Sequence, residues 1–114
     1  MNEKNDLVFI EHILDSVDAI IEFSDGIDIE DLGSDRLRRS AIVREIEVIG
    51  EAVKNISDEI KGRYGRIAWR DIVGTRNKMI HHYFGVDLDV VWRIVKHDIP
   101  DLRKKFLKIR RDLV

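Results

Sequence analysis

The sequence of 114 residues contains no cysteine and only one proline, and no hydrophobic run approaches the length of a membrane span. Without cysteine, the chain forms no disulfide and offers no thiolate to zinc, which is compatible with a reducing compartment. A bilayer span needs about 20 mostly apolar residues, and the first residues, MNEKNDLVF, lack the basic and apolar regions of a signal peptide. We therefore expect a cytoplasmic protein without membrane contact.

The residues that are abundant favour helices in a single folded unit. Hydrophobic residues make up 44% of the chain and charged residues 37%, with seven glycines, which is typical of a compact helical protein rather than a disordered one. The length predicts one domain covering residues 1–114. The charges are unevenly distributed, because residues 1–35 carry eleven acids and one base, whereas residues 36–114 carry nineteen bases and eleven acids. The later part therefore has the charge to face a polyanion, although such a charged face is more often simply solvated.

Two long helices are predicted in the first half of the chain. The first follows Asn5 or Asp6 as the N-cap, and the second follows Ser34 or Asp35. Gly50 lies within the second helix, where close approach of another helix would explain a glycine. The acidic segment between the two helices predicts a loop with one short turn. The apolar positions with helical spacing are Leu7, Ile10, Ile13, Leu14, Val17, Ile20 and Ile21 in the first helix, and Leu37, Ala41, Ile42, Ile46, Ile49, Ala52, Val53 and Ile56 in the second.

The second half of the chain predicts up to three more helices. After a segment with one short helical turn, a third long helix opens at Ala68 or Trp69 and runs to about Tyr83, with Gly85 as its stop. Asp87 is the expected N-cap of a fourth helix, and the sole proline, in "HDIPDL", suits the first turn of a fifth. No strand-like alternation and no internal repeat are present. The predicted fold is all-α, an antiparallel bundle of four to five helices.

The segment "TRNKMIHHYFGVD", residues 75–87, concentrates side chains that are rare elsewhere in this chain. If it is helical, Arg76 and Tyr83 share one line along the helix, and Asn77 and His81 share another. Arg76 and His81 are then separated by roughly 140° around the axis, because each residue turns about 100°. A two-fold dimer in which the third helices of two chains meet would bring Arg76 and His81 together.

These side chains suit cleavage of a phosphodiester bond without a metal. Arginine provides permanently charged, planar donors to a phosphate, and histidine can take a proton from a ribose 2′-hydroxyl or deliver one to the leaving oxygen. Asn77 can orient either group, and Tyr83 can contact phosphate or base. RNA supplies the attacking hydroxyl that DNA lacks.

Structural roles and a metal site are the alternatives to this chemistry. A histidine at a helix end is more often a capping or packing residue, and spacing alone slightly favours that interpretation. His82 has only a minor expected role, and the adjacent histidines lack the spacing of a zinc site. His12 and His97 are isolated and are expected to be structural. Trp69 and Trp92 are expected in the core or in a dimer contact.

The segment "RNKMIHHY" also resembles a known motif, the Arg-x4-His signature of the HEPN superfamily, and in its Arg-x4-His-x-Tyr form the motif of HepT toxins. The resemblance extends over the chain through "REIEVIGEAVKNIS", "WRDIVGTRNKMIHHYFGVD" and "VVWRIVKHDIPDL". It implies a HEPN-like helical bundle that forms a homodimer or a larger assembly, with the motifs of two chains in a shared cleft. Within the motif, Arg76 and His81 would be the catalytic pair of a metal-independent endoribonuclease, supported by Asn77, with no cofactor.

The resemblance further implies a partner and a mode of regulation. HepT proteins are the toxins of type VII toxin–antitoxin systems, whose antitoxin is a minimal nucleotidyltransferase, MntA. That antitoxin transfers AMP from ATP to the motif tyrosine, which corresponds to Tyr83 here. The alternative is a non-catalytic HEPN dimer that binds nucleotides or serves a minimal nucleotidyltransferase as an interaction partner.

Overall fold

The structure, a computed structural model, describes residues 3–81 and 85–114. Helices make up most of this part, which confirms the predicted all-α class, and none of the helices is long and apolar enough to cross a membrane. The α-helices are α1 (Glu3–Ser24), α2 (Ile29–Ser34), α3 (Arg36–Lys54), α4 (Asp58–Arg63), α5 (Trp69–Met79), α6 (Leu88–Arg93) and α7 (Ile99–Leu113). A π-helical segment, Ile94–Asp98, joins α6 to α7, and two short strands, β1 (Ile80–His81) and β2 (Gly85–Val86), follow α5. These strands were not predicted.

The long helices form an antiparallel bundle, as predicted. α1 packs against α3 and α7, and α5 packs against α3. Because Glu47 on α3 lies opposite Arg76 on α5, while Gly50 lies opposite Ile72, the two helices run in opposite directions. The shared core is built almost wholly of aliphatic side chains, and the aromatic Phe106 is its largest fully buried residue.

Several helix starts agree with the sequence because their signals are local. Asp35 caps α3 by accepting a hydrogen bond from the Arg38 N–H at 3.0 Å, and Asp87 caps α6 in the same way. The acidic segment before α3 contains the expected short element, α2, which Asp28 caps. Two of the apolar positions predicted from helical spacing are exposed: Ile21, at 41%, near the end of α1, and Leu37, at 83%, in the first turn of α3.

The predicted start of the first helix is also wrong. α1 already includes Glu3, so Asn5 and Asp6 lie inside the helix rather than at its N-cap. Asp6 is only 1% exposed, and its carboxylate accepts hydrogen bonds from the backbone N–H of Ser57 at 2.8 Å and from the Ser57 hydroxyl at 2.7 Å. The same hydroxyl caps α4 by accepting from the Ile60 N–H. A buried acid of the first helix therefore holds the start of the fourth.

Replacing Asp6 with alanine is expected to destabilise the fold by about 2–3 kcal/mol, because two hydrogen bonds to a charged group are lost and the Ser57 N–H remains without its acceptor. Urea unfolding of wild type and variant would measure the change. Asp15→Ala, an exposed acid on the same helix, is the matched control and should change stability by less than about 0.5 kcal/mol. Equal effects of the two substitutions would show that the buried carboxylate has no special role.

Gly50 occupies the predicted point of close helix approach. A Cβ at this position would lie 3.5 Å from the backbone oxygen of Ile72 and 3.7 Å from that of Val73. These are ordinary contact distances for a methyl group, so any side chain larger than alanine would push α5 away from α3. The glycine therefore sets how closely α5 lies against the core.

The C-terminal part is one continuous helical rod over residues 88–113, not the two separate helices that the sequence predicts. Pro100 does lie in the first turn of α7, as expected. However, a proline inside a helix lacks an N–H and its ring clashes with the carbonyl four residues earlier. In the π-helical segment directly before the proline, each backbone hydrogen bond spans five residues instead of four. This lets the helix continue without a break.

Candidate functional site at the end of α5

α5 carries the first part of the predicted motif and is held in place at its beginning. Trp69, its first residue, is half-buried, packs its ring 5.7 Å from that of Phe106 and donates from Nε1 to the Tyr64 carbonyl at 3.2 Å. The Tyr64 hydroxyl in turn donates to the Asp112 carboxylate of α7 at 2.6 Å. Burial of the phenol, this hydrogen bond and the carboxylate charge together raise the pKa of Tyr64. The C-terminal part of the rod is thus tied to the beginning of the helix that carries the motif.

α5 ends earlier than predicted, which changes the geometry of the motif. Its last residue is Met79, and the next two residues pair with β2 in an antiparallel ladder, Ile80 with Val86 and His81 with Gly85. In a continuing helix, the Met79 carbonyl would accept from the N–H four residues later. Here it accepts from the N–H of Asp87 at 2.7 Å. Gly85, with φ +77°, belongs to this hairpin and is not a helix stop.

The predicted helical stripes are therefore wrong beyond Met79. His81 does not share a helical line with Asn77, and the angle of 140° between Arg76 and His81 does not apply. His82 and Tyr83 lie outside the described residues, as does the side chain of His81. The structure places the backbone of His81 immediately after the last turn of α5, which contains Arg76 and Asn77.

Arg76 is oriented by a residue that the sequence did not identify. Its Nε donates to the Glu47 carboxylate of α3 at 2.9 Å, and its side chain is 59% exposed whereas that of Glu47 is 22% exposed. An ion pair at such an exposed position contributes little to stability, but it restricts where the guanidinium points. The terminal nitrogens of Arg76 have no hydrogen bond to another described residue, so this planar fork is available to an anion.

Two further polar residues of the motif segment are open to solvent. Asn77 and Lys78 are exposed in the last turn of α5. Within residues 3–81 and 85–114, no group of three or more His, Cys, Asp or Glu side chains could hold a metal ion. The two predicted structural histidines, His12 and His97, are both exposed, and His12 meets Phe9 edge to face with ring centroids 6.3 Å apart.

In this helical bundle, an arginine and an asparagine lie in the last turn of α5, and the backbone of a histidine lies just beyond it. A family model described as ribonuclease HepT-like matches residues 13–109, and the chain belongs to this family. No solved structure matches the chain significantly.

Several curated relatives resemble this chain over nearly their whole length. A Thermococcus cleftensis protein named "Probable ribonuclease HepT" is 43% identical over 103 residues, covering 90% of this chain and 94% of that protein. A Methanocaldococcus jannaschii protein, provisionally named an RNase, is 40% identical over 113 residues, covering 99% of this chain and 97% of the relative. A third, from Caldanaerobacter subterraneus subsp. tengcongensis and named in the same way, is 40% identical over 101 residues, with 89% and 90% covered.

Proposed function

We propose that this protein is a metal-independent endoribonuclease in which Arg76 and His81 act on the scissile phosphate. The observation that carries the proposal is the exposed guanidinium of Arg76, oriented by Glu47 and placed in the last turn before His81. Its terminal nitrogens have no hydrogen bond to another described residue, and the guanidinium fork can contact two phosphate oxygens. Membership in a family described as ribonuclease HepT-like supports RNA as the substrate.

The proposed chemistry uses the 2′-hydroxyl of RNA as the nucleophile. The 2′-oxygen forms a bond to phosphorus as the bond from phosphorus to the 5′-oxygen breaks, which leaves a 2′,3′-cyclic phosphate and a free 5′-hydroxyl. His81 removes the proton from the attacking hydroxyl or delivers one to the leaving oxygen. The Arg76 donors stabilise the negative charge that builds on the phosphate oxygens in the transition state, and Asn77 supports their orientation.

We propose that the active form is a homodimer in which two motifs face one shared cleft. The predicted angle between Arg76 and His81 does not support the dimer, because it assumes a continuous helix and His81 lies beyond the end of α5. The dimer therefore rests on the resemblance to HEPN proteins. It agrees with the position of Arg76 and Asn77 on an open surface, where a second chain has access.

The purified protein is expected to cleave RNA in the presence of EDTA and to leave DNA of the same sequence intact, because only RNA contains the attacking hydroxyl. Gel analysis of end-labelled oligonucleotides measures cleavage, and 2′-O-methyl RNA, in which the nucleophile is blocked, is the matched control. Cleavage that stops in EDTA and returns with Mg²⁺ would contradict the metal-independent mechanism. Absence of cleavage together with binding to a nucleotidyltransferase would favour the non-catalytic HEPN partner instead.

We further propose that the protein is the toxin of a HepT/MntA-type system and that its antitoxin inactivates it by adding AMP to Tyr83. The added phosphate would bring negative charge and bulk to the motif that contains Arg76, in competition with RNA. A phenol has an ordinary pKa near 10 and is a weak nucleophile without help. The metal and the base for the transfer therefore come from the partner.

Incubation with a minimal nucleotidyltransferase, ATP and Mg²⁺ is expected to increase the intact mass through addition of AMP and to reduce RNA cleavage. Tyr83→Phe should abolish the mass increase, because it removes the acceptor oxygen and little else. Tyr64→Phe is the control, since Tyr64 is the other tyrosine of the chain and should leave the modification unchanged. A Tyr83→Phe protein that gains the same mass would show that the site lies elsewhere.

A further inference from the structure

A cavity of about 270 Å³ lies between α5 and the C-terminal rod, and Arg76 is not among the residues that line it. Its floor is apolar and includes Ile46 and Ile49 from α3, Ile72 from α5 and Ile94 from the π-helical segment. The volume is close to the lower limit of pockets that bind small organic ligands. A flat, mostly apolar group of the size of a nucleobase matches this floor.

The rim of the cavity carries charges of both signs. Asp71, Thr75 and Lys78 lie along one face of α5, and Arg93 and Asp98 line the wall formed by the rod. Lys78, Arg93 and the carboxylates of Asp71 and Asp98 have no hydrogen bond or ion pair within the part of the chain that the structure describes. These groups differ from Lys105 on the same rim, which is paired with Asp101 at 2.8 Å.

The π-helical segment forms part of this wall, which singles it out from the rest of the rod. Arg93 directly precedes the segment and Asp98 ends it. Single π-helical turns inside α-helices are frequent at functional sites, since the wider turn redirects side chains. The proline that follows explains why a π-helical turn is tolerated there. The turn also places one cation and one carboxylate on the same rim of the cavity.

The cavity and the proposed catalytic residues share the last turn of α5. The Arg76 side chain reaches α3, whereas Lys78, two residues later, lines the cavity. A polynucleotide whose scissile phosphate lies at Arg76 can therefore cross the end of α5 and place a neighbouring nucleotide beside Lys78. Two cations at one rim, neither of them paired with another described residue, provide the charge-assisted contacts that a phosphate needs.

We propose that this cavity binds one base of the RNA substrate, with an adjacent phosphate held by Lys78 and Arg93. The choice of RNA as the ligand rests on the proposed ribonuclease function. The carboxylates of Asp71 and Asp98 accept hydrogen bonds, so they favour bases that present an exocyclic amino group. Cytosine is thus preferred to uracil. Uracil has a carbonyl at the same position, and its oxygen and the carboxylate would both be acceptors. The cavity is a specificity subsite and is separate from the reacting groups.

The test is a titration of the full-length protein, with labelled isoleucine methyl groups, by the 3′-monophosphates of cytidine and uridine at low salt. We expect the NMR signals of Ile46, Ile49, Ile72 and Ile94 to shift, with cytidine monophosphate binding about tenfold more tightly than the uridine compound. The double variant Lys78→Ala/Arg93→Ala should weaken both by about tenfold or more. Asp71→Asn/Asp98→Asn should remove the preference while retaining binding.

Two further variants separate this proposal from the ribonuclease proposal. Lys104→Ala removes an exposed lysine of α7 that does not line the cavity, and it should leave mononucleotide binding unchanged. Arg76→Ala should also retain mononucleotide binding, because Arg76 lies outside the cavity, although it reduces RNA cleavage strongly. Shifts confined to other methyl groups, equal binding of the two nucleotides, or no loss in the Lys78→Ala/Arg93→Ala protein would overturn the subsite. Binding without cleavage in wild type would instead contradict the ribonuclease proposal alone.

Discussion

Replacing His81 with alanine is expected to lower the rate of RNA cleavage by about 10²–10⁴-fold, the usual contribution of a positioned general acid or base. The other two described histidines lie on different elements, His12 on α1 and His97 in the π-helical segment. Single-turnover cleavage of a labelled RNA in EDTA would measure the effect. Substrate binding should change much less than the rate, because the proposed role of His81 is proton transfer.

His12→Ala is the matched control for this prediction, because it removes an exposed imidazole from another helix. It should leave the cleavage rate within a factor of about two of wild type, since surface substitutions rarely disturb a fold. His82→Ala tests the neighbouring ring, for which we expect only a minor loss. If His82→Ala abolishes cleavage while His81→Ala retains it, the assignment of the two adjacent histidines must be exchanged.

Replacing Arg76 with alanine is expected to reduce cleavage by about 10²–10³-fold, which is the typical effect of removing one donor that stabilises transition-state charge. Folding should be almost unaffected, because the side chain is 59% exposed and its ion pair with Glu47 lies at the surface. Arg76→Lys should recover only part of the rate, since an ammonium group cannot donate two parallel hydrogen bonds to a phosphate. The same single-turnover assay measures each variant.

The chain provides a closely matched control for Arg76. Arg103 on α7 is 45% exposed, and its Nε donates to Asp18 at 2.9 Å, the same distance that joins Arg76 to Glu47. Arg103→Ala therefore removes the same charge and the same kind of ion pair at a site that does not contact the motif. A comparable loss of cleavage in both variants would show that the effect is one of net charge on RNA binding, and Arg76 would lose its catalytic assignment.

Local signals explain most of the agreement between the sequence and the fold. Asp35 and Asp87 act within three residues of their own positions, and the apolar spacing of α1 and α3 depends only on helical periodicity. Gly50 was interpreted correctly because a glycine inside a strong helical pattern has few explanations, of which close packing is one. The family motif was readable for the same reason, as its residues are near neighbours in the chain.

Contacts between distant residues account for the errors. Asp6 looked like a cap, but its acceptors are used by Ser57, 51 residues away. The predicted α5 is too long because no residue directly after Met79 marks a helix end. The hydrogen bond that competes for the Met79 carbonyl comes from Asp87. No sequence signal links Glu47 to Arg76, which are 29 residues apart.

The sequence by itself determined the all-α class, most helix starts, the family and the identity of the motif residues, because each depends on neighbours within a few positions. Tertiary structure decided where α5 ends, which carboxylate orients Arg76 and which charges surround the cavity beside the motif. These features arise only when α3, α5 and the C-terminal rod pack together, since packing selects among hydrogen-bond partners that are equally available to the isolated segments.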